Sequence, residues 1–128
     1  VPAKRPAPLP RRNRKPLTVS GFQQLIRDIY FRKDRRRGVD GTYRWLVEET
    51  GELARAIRKV DKANMREEFA DVFAWLASLA SLHEIDLEEA ACKYAAGCPK
   101  CHSVPCACEE KPRRTVSQRS RCKSQRPT

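Results

Sequence analysis

The stretch W-L-V-E-E-T-G-E-L-A-R-A-I-R-K-V (Trp45–Val60), D-K-A-N (61–64) and M-R-E-E-F-A-D-V-F-A-W-L-A-S-L-A-S-L (Met65–Leu82) decides the fold. Apolar residues recur in both long segments at about 100° per residue, the period of a helix. The polar break between them is short enough for a turn. In the first segment Trp45, Leu46, Leu53, Ala56, Ile57 and Val60 make one apolar arc. Glu49 falls inside that arc, Glu52 on its border and Glu48 one step further out. In the second, Val72, Trp75, Leu76 and Leu79 make the arc, with Glu68 near its middle and Asp71 on its flank. A helical hairpin brings these carboxylates together. Unpaired carboxylates in an apolar seam are costly, so the pattern predicts a cation between the helices. Oxygen ligands without histidine favour a hard ion, Mg²⁺ or Mn²⁺. The plain alternative is a solvated face on which Glu52 pairs with Arg55 and Glu67 suits a helix start. That alternative serves Glu67 but leaves Glu49 and Glu68 without a reason.

Outward from the hairpin, Phe22, Leu25, Ile26, Ile29 and Tyr30 form a further helical stripe, with Ser20 and Gln23 placed as a capping box. The basic, glycine-containing run Asp34–Gly41 reads as a turn, the second helix as Tyr43–Val60 and the third as Met65–Leu82. A fourth helix opens at Asp86, with Glu89 completing a capping box, and stops at Gly97. No segment alternates as a strand does. The expected fold is all-α, a four-helix bundle spanning residues 17–97. Residues 1–16 and 109–128 are expected to be disordered basic tails, because Pro, Arg and Lys dominate them and large apolar residues are scarce.

The formal net charge is +11 over 128 residues, but it is unevenly placed. The segments 1–15 and 111–128 contain no acid, whereas 41–91 carries more Asp and Glu than Lys and Arg. The charge excess thus belongs to the flanks, which argues against the helical domain as a nucleic-acid binder. It leaves room for weak nucleic-acid association through the tails. No apolar run is long enough to span a membrane. The N-terminus lacks the apolar stretch of a signal peptide, so the expectation is a soluble cytoplasmic protein.

The E-E-T-G-E-L of Glu48–Leu53, the E-F-A-D-V of Glu68–Val72 and the D-L-E-E-A of Asp86–Ala90 with the lysine that follows resemble the MazG-type nucleotide pyrophosphohydrolases. These are all-α enzymes with an E-E-x-x-E, spacer, E-x-x-D signature, and the resemblance covers roughly Thr18–Cys98. It implies that Glu49, Glu52, Glu68 and Asp71 bind Mg²⁺, with Glu48 or Glu49 as candidate base. It implies cleavage of a nucleoside triphosphate to the monophosphate and pyrophosphate. It also implies a phosphate contact for Lys93 and assembly as a homodimer or homotetramer. Arg37, with Arg35 and Arg36, lies just before the acidic helix and is a candidate phosphate contact; its plain alternative is a solvated basic loop. Trp45 and Trp75 are candidates for stacking on a base, although aromatic residues at helical spacing are more often core.

Residues 98–108 read C-P-K-C-H-S-V-P-C-A-C. A C-x-x-C followed closely by C-x-C suits a zinc knuckle built from Cys98, Cys101, Cys106 and Cys108, with His102 able to replace one thiol. Disulfides or free thiols are the alternative. Cys92 reads as a core thiol, and Cys122 has no evident partner. The competing functional reading is a non-catalytic helical zinc-knuckle module with basic tails that binds nucleic acid or a protein partner.

Overall fold

The structure, a computed structural model, describes residues 16–110. The expected tails, and Cys122 with them, lie outside the described residues save for positions 16, 109 and 110. Among the described residues there are three α-helices and no strand: α1 Val19–Lys59, α2 Lys62–Leu82 and α3 Leu87–Ala91, followed by a 3₁₀ turn at Cys92–Tyr94. They divide into a helical unit ending at Ala95 and a short cysteine-bearing unit beginning at Ala96.

The all-α class is as expected; the helix count is not. The first two expected helices run as the one element α1, and the expected turn at Asp34–Gly41 is helical apart from Gly38 (φ 83°, ψ 175°). Arg35, Arg36 and Arg37 are good helix formers, and Arg37 pairs back to Asp34 one turn earlier at 2.9 Å. Only Gly38 leaves helical geometry, in a region that a residue without Cβ enters freely. The N-cap also shifts from Ser20 to Thr18, whose Oγ1 accepts from the Gly21 N–H at 2.9 Å. Ser20, within the first turn, donates to Glu88 instead. Gln23 ties the α2–α3 connection to α1: its Nε2 donates to the Ile85 carbonyl at 2.8 Å, and its Oε1 accepts from the Leu87 N–H at 2.9 Å.

The hairpin turn is tighter than the four-residue break suggested. Val60 takes a left-handed conformation (φ 56°, ψ 31°). Its N–H reaches the Ile57 carbonyl and the Asp61 N–H reaches that of Ala56, at 3.1 and 3.2 Å, which is a Schellman closure. Asp61 then caps α2 by accepting from the Asn64 N–H at 3.1 Å. Starting α2 at Lys62 moves Glu67 out of the first turn, so it is not the helix-start charge the sequence suggested. Asp86 caps α3 as expected, through the Glu88 and Glu89 N–H groups. α3 ends at Ala91 rather than running on to Gly97.

The buried seam is narrow and built from small side chains: Ile26, Ala56, Ala77 and Ala80, with Thr42, Ser78 and Ser81. Of the expected stripe Phe22–Tyr30 only Ile26 is fully buried, and Leu25, Ile29 and Tyr30 are exposed. Of the arc on α1 only Ala56 is fully buried, while Trp45, Ile57 and Val60 are exposed. An apolar stripe wider than one seam needs a neighbour on each side, and a hairpin supplies one. Phe22 and Phe73 stack at 4.4 Å between ring centroids and cover part of each other. Among the described residues, no helix is long and apolar enough to cross a membrane.

Candidate functional site

Glu49 projects from α1 after the break, and Glu68 and Asp71 from successive turns of α2. One carboxylate oxygen from each lies within 4.8 Å of the other two. The i, i+3 spacing of Glu68 and Asp71 puts both on one face of α2. Trp75, one turn beyond Asp71, donates its indole Nε1–H to Glu49 Oε1 at 3.3 Å. The carboxyl of Glu49 is held above its ordinary pKa. Desolvation contributes most; the Trp75 hydrogen bond opposes it, and the charges of Asp71, Glu68 and Glu52 add to it. Glu52 therefore feels the cluster electrostatically but stands outside it, and its Oε2 lies 3.5 Å from Arg55. Glu48 is exposed and also outside it.

The cluster borders a cavity of about 410 Å³ lined by Glu49, Asp71, Trp45, Trp75, Lys33 and Arg37, among others. Trp45 and Trp75 stack at 5.6 Å, 7° from parallel. The Arg37 guanidinium sits 4.6 Å from the centre of the Trp75 ring. Cationic and anionic side chains thus face one space beside an indole pair. That arrangement suits a ligand with an aromatic part and a metal-compensated polyanionic part.

A family model, the MazG nucleotide pyrophosphohydrolase domain, matches residues 37–102, just over half of the chain. The chain belongs to the MazG family. No curated protein matches the sequence. The MazG match contains all three clustered acids, and its description points to a hydrolase acting on nucleotides. It begins at Arg37, so Lys33 and Asp34, which line the same cavity, lie before it. Sequence reading passed over Asp34; the signal available was its i, i+3 spacing from Arg37.

Lys93, expected at the MazG site, lies in the 3₁₀ turn with its Nζ 5.5 Å from the Tyr94 ring centre. It does not line the cavity.

The MazG match ends at His102, partway through the cysteine run. The Sγ atoms of Cys98, Cys101, Cys106 and Cys108 all lie within 4.8 Å of one another, with Cys98–Cys108 and Cys101–Cys106 each at 3.9 Å. A tetrahedral ion with metal–sulfur bonds of about 2.3 Å sets its sulfurs about 3.8 Å apart, so the spacing fits Zn²⁺. The Ala107 N–H donates to Cys101 Sγ and the Cys108 N–H to Cys106 Sγ, at 3.3 and 3.4 Å. Backbone donors at Ala107 and Ser103 bring the Cys101 thiol down to about 6. Hydrogen bonds with Cys106, Cys101 and Cys98 take Cys108 up to about 11. The described cysteines, Cys92 included, are all free thiols, and Cys92 is exposed rather than core. His102 is not in the cluster.

Proposed function

We propose that this chain is a Mg²⁺-dependent nucleoside triphosphate pyrophosphohydrolase, cleaving NTP or dNTP to the monophosphate and pyrophosphate. The observation that carries the reading is the cluster of Glu49, Glu68 and Asp71, two of whose members, Glu49 and Asp71, line a cavity that also receives Lys33 and Arg37. These three carboxylates, with Glu52 as a fourth from the next turn of α1, are the donors for the ion. An all-oxygen set suits Mg²⁺, or Mn²⁺ in its place. The chemistry a divalent cation supplies there is neutralisation of the triphosphate and acidification of water. Glu49 and Glu48 are the candidates for accepting the proton of the attacking water. Arg37 and Lys33 take phosphate oxygens and Trp45 takes the base.

Two other features complete the reading. The cysteine set holds one structural Zn²⁺, supported by its sulfur spacing. The working form is a homodimer or homotetramer, supported by the exposed Tyr30, Ile57, Phe69, Phe73 and Leu76. A monomer with so much apolar surface is poorly suited to water.

The test is a panel of ribo- and deoxyribonucleoside triphosphates incubated with the protein and Mg²⁺, with products separated by ion exchange. Monophosphate and pyrophosphate in equal amounts are expected from at least one of them. Orthophosphate as the sole inorganic product, or no turnover across the panel, overturns the reading.

A further inference from the structure

Asp34 is 2% exposed, Thr42 is fully buried, and both are bound to one side chain. Arg37 Nη1 donates to Asp34 Oδ1 at 2.9 Å and approaches Thr42 Oγ1 at 3.5 Å. Asp34 lies before Gly38 and Thr42 after it, so the guanidinium bridges the break in α1. Its stem crosses Gly41, where an added Cβ would come within 2.6 Å of Arg37 Cγ. The head rests over the Trp75 ring at 4.6 Å, and Trp75 donates to Glu49. Arg37 is also one of the residues lining the cavity that Glu49 and Asp71 line. Four separate features therefore fix one cation: a buried carboxylate, a buried hydroxyl, a missing Cβ and an indole face.

Such a pair is a poor device for stability alone. Burying two charges costs about as much as their attraction returns, and apolar replacements are often as stable. What the burial does supply is a guanidinium with few rotamers left, and an anion that binds it loses little entropy in doing so.

We infer that Asp34 and Gly41 are positioning residues that hold Arg37 in place to bind the polyphosphate of the substrate. This inference rests on the function proposed above. It also adds to it, because Asp34 lies before the residues matched to the family. Asp34 acts only through Arg37 and touches no reacting atom. A fixed cation of this kind contributes to ground state and transition state alike, so its loss raises KM and spares kcat.

The test uses Arg37→Ala, Asp34→Asn and Gly41→Ala in the full chain. Gly41→Ala removes no charge and favours helix, so it displaces Arg37 without weakening the fold through propensity. Each variant is expected to raise KM for the best nucleotide about tenfold with kcat within about threefold of the parent. Asp34→Asn combined with Arg37→Ala is expected to be no worse than Arg37→Ala alone. Binding of inorganic pyrophosphate with Mg²⁺, followed by tryptophan fluorescence, gives a readout that needs no turnover, and it is expected to weaken by the same factor. Unchanged KM and pyrophosphate affinity in Gly41→Ala and Asp34→Asn overturn the inference while nucleotide turnover keeps the function standing. Loss of kcat in proportion to loss of melting temperature, additive in the double variant, marks a mere staple across the break and also overturns it. Absence of turnover with pyrophosphate binding that still depends on Arg37 removes the function and keeps the inference. Absence of both removes both.

Discussion

Glu49 joins the two sides of the site. It meets Glu68 and Asp71 across the hairpin, and its Oε1 receives the Trp75 indole proton at 3.3 Å. Its place inside an apolar arc was readable from the sequence; its donor was not, because Trp75 lies 26 positions away. Asp71 is exposed and Glu68 half-buried, so replacing them tests chemistry more than folding. Asp71→Asn and Glu68→Gln should each lower kcat/KM by at least about a hundredfold with the far-ultraviolet dichroism unchanged. Retained activity in both would remove the site assignment. Glu52→Gln separates a fourth ligand from a surface partner of Arg55. A loss as large as that of Asp71→Asn is expected, and a change under about threefold would return Glu52 to the solvated surface. Trp75→Phe keeps an aromatic ring against Trp45 and deletes only the donor to Glu49. It should lower kcat/KM about tenfold, as expected for one hydrogen bond to a charged group.

At the scale of elements, the helices were legible and their junctions were not. Periodicity marks where a helix buries apolar side chains, but Asp34–Gly41 has no apolar period to read. A basic run with two glycines looks like a loop until Arg37 is seen bound to buried Asp34 and Thr42. Two substitutions test the junctions. A Cβ on Gly38 would meet nothing within 4 Å, so Gly38→Ala changes only the cost of its φ of 83°. It should destabilise by roughly 1–3 kcal/mol in urea titration. Val60 is the opposite case: a β-branched residue at φ 56° whose side chain is 72% exposed. Val60→Gly relieves the left-handed strain and loses little packing. After the entropic cost of glycine it should stabilise by about 0.5–1 kcal/mol in the same measurement.

At the scale of the whole molecule, the exposed apolar residues support the assembly proposed above. The chain has a mass of 14.7 kDa. Light scattering coupled to size exclusion should return twice or four times that mass, and a monomer at micromolar concentration would remove the proposal. Metal analysis of protein purified without chelator should give one zinc per chain. Removing that zinc should leave the helical dichroism almost intact, because the described residues of the cysteine-bearing unit contain no α-helix. By itself the sequence determined the all-α class, the hairpin, three of the four acids expected to meet across it and the four cysteines that cluster. Each of these depends on spacing within a segment, and helical period and ligand spacing are local. Tertiary structure alone decided that α1 continues through Arg37, that Asp34 is buried, and that only a thin seam of small residues is covered. These depend on which distant side chain fills the space beside a residue, and one segment's period carries no record of that.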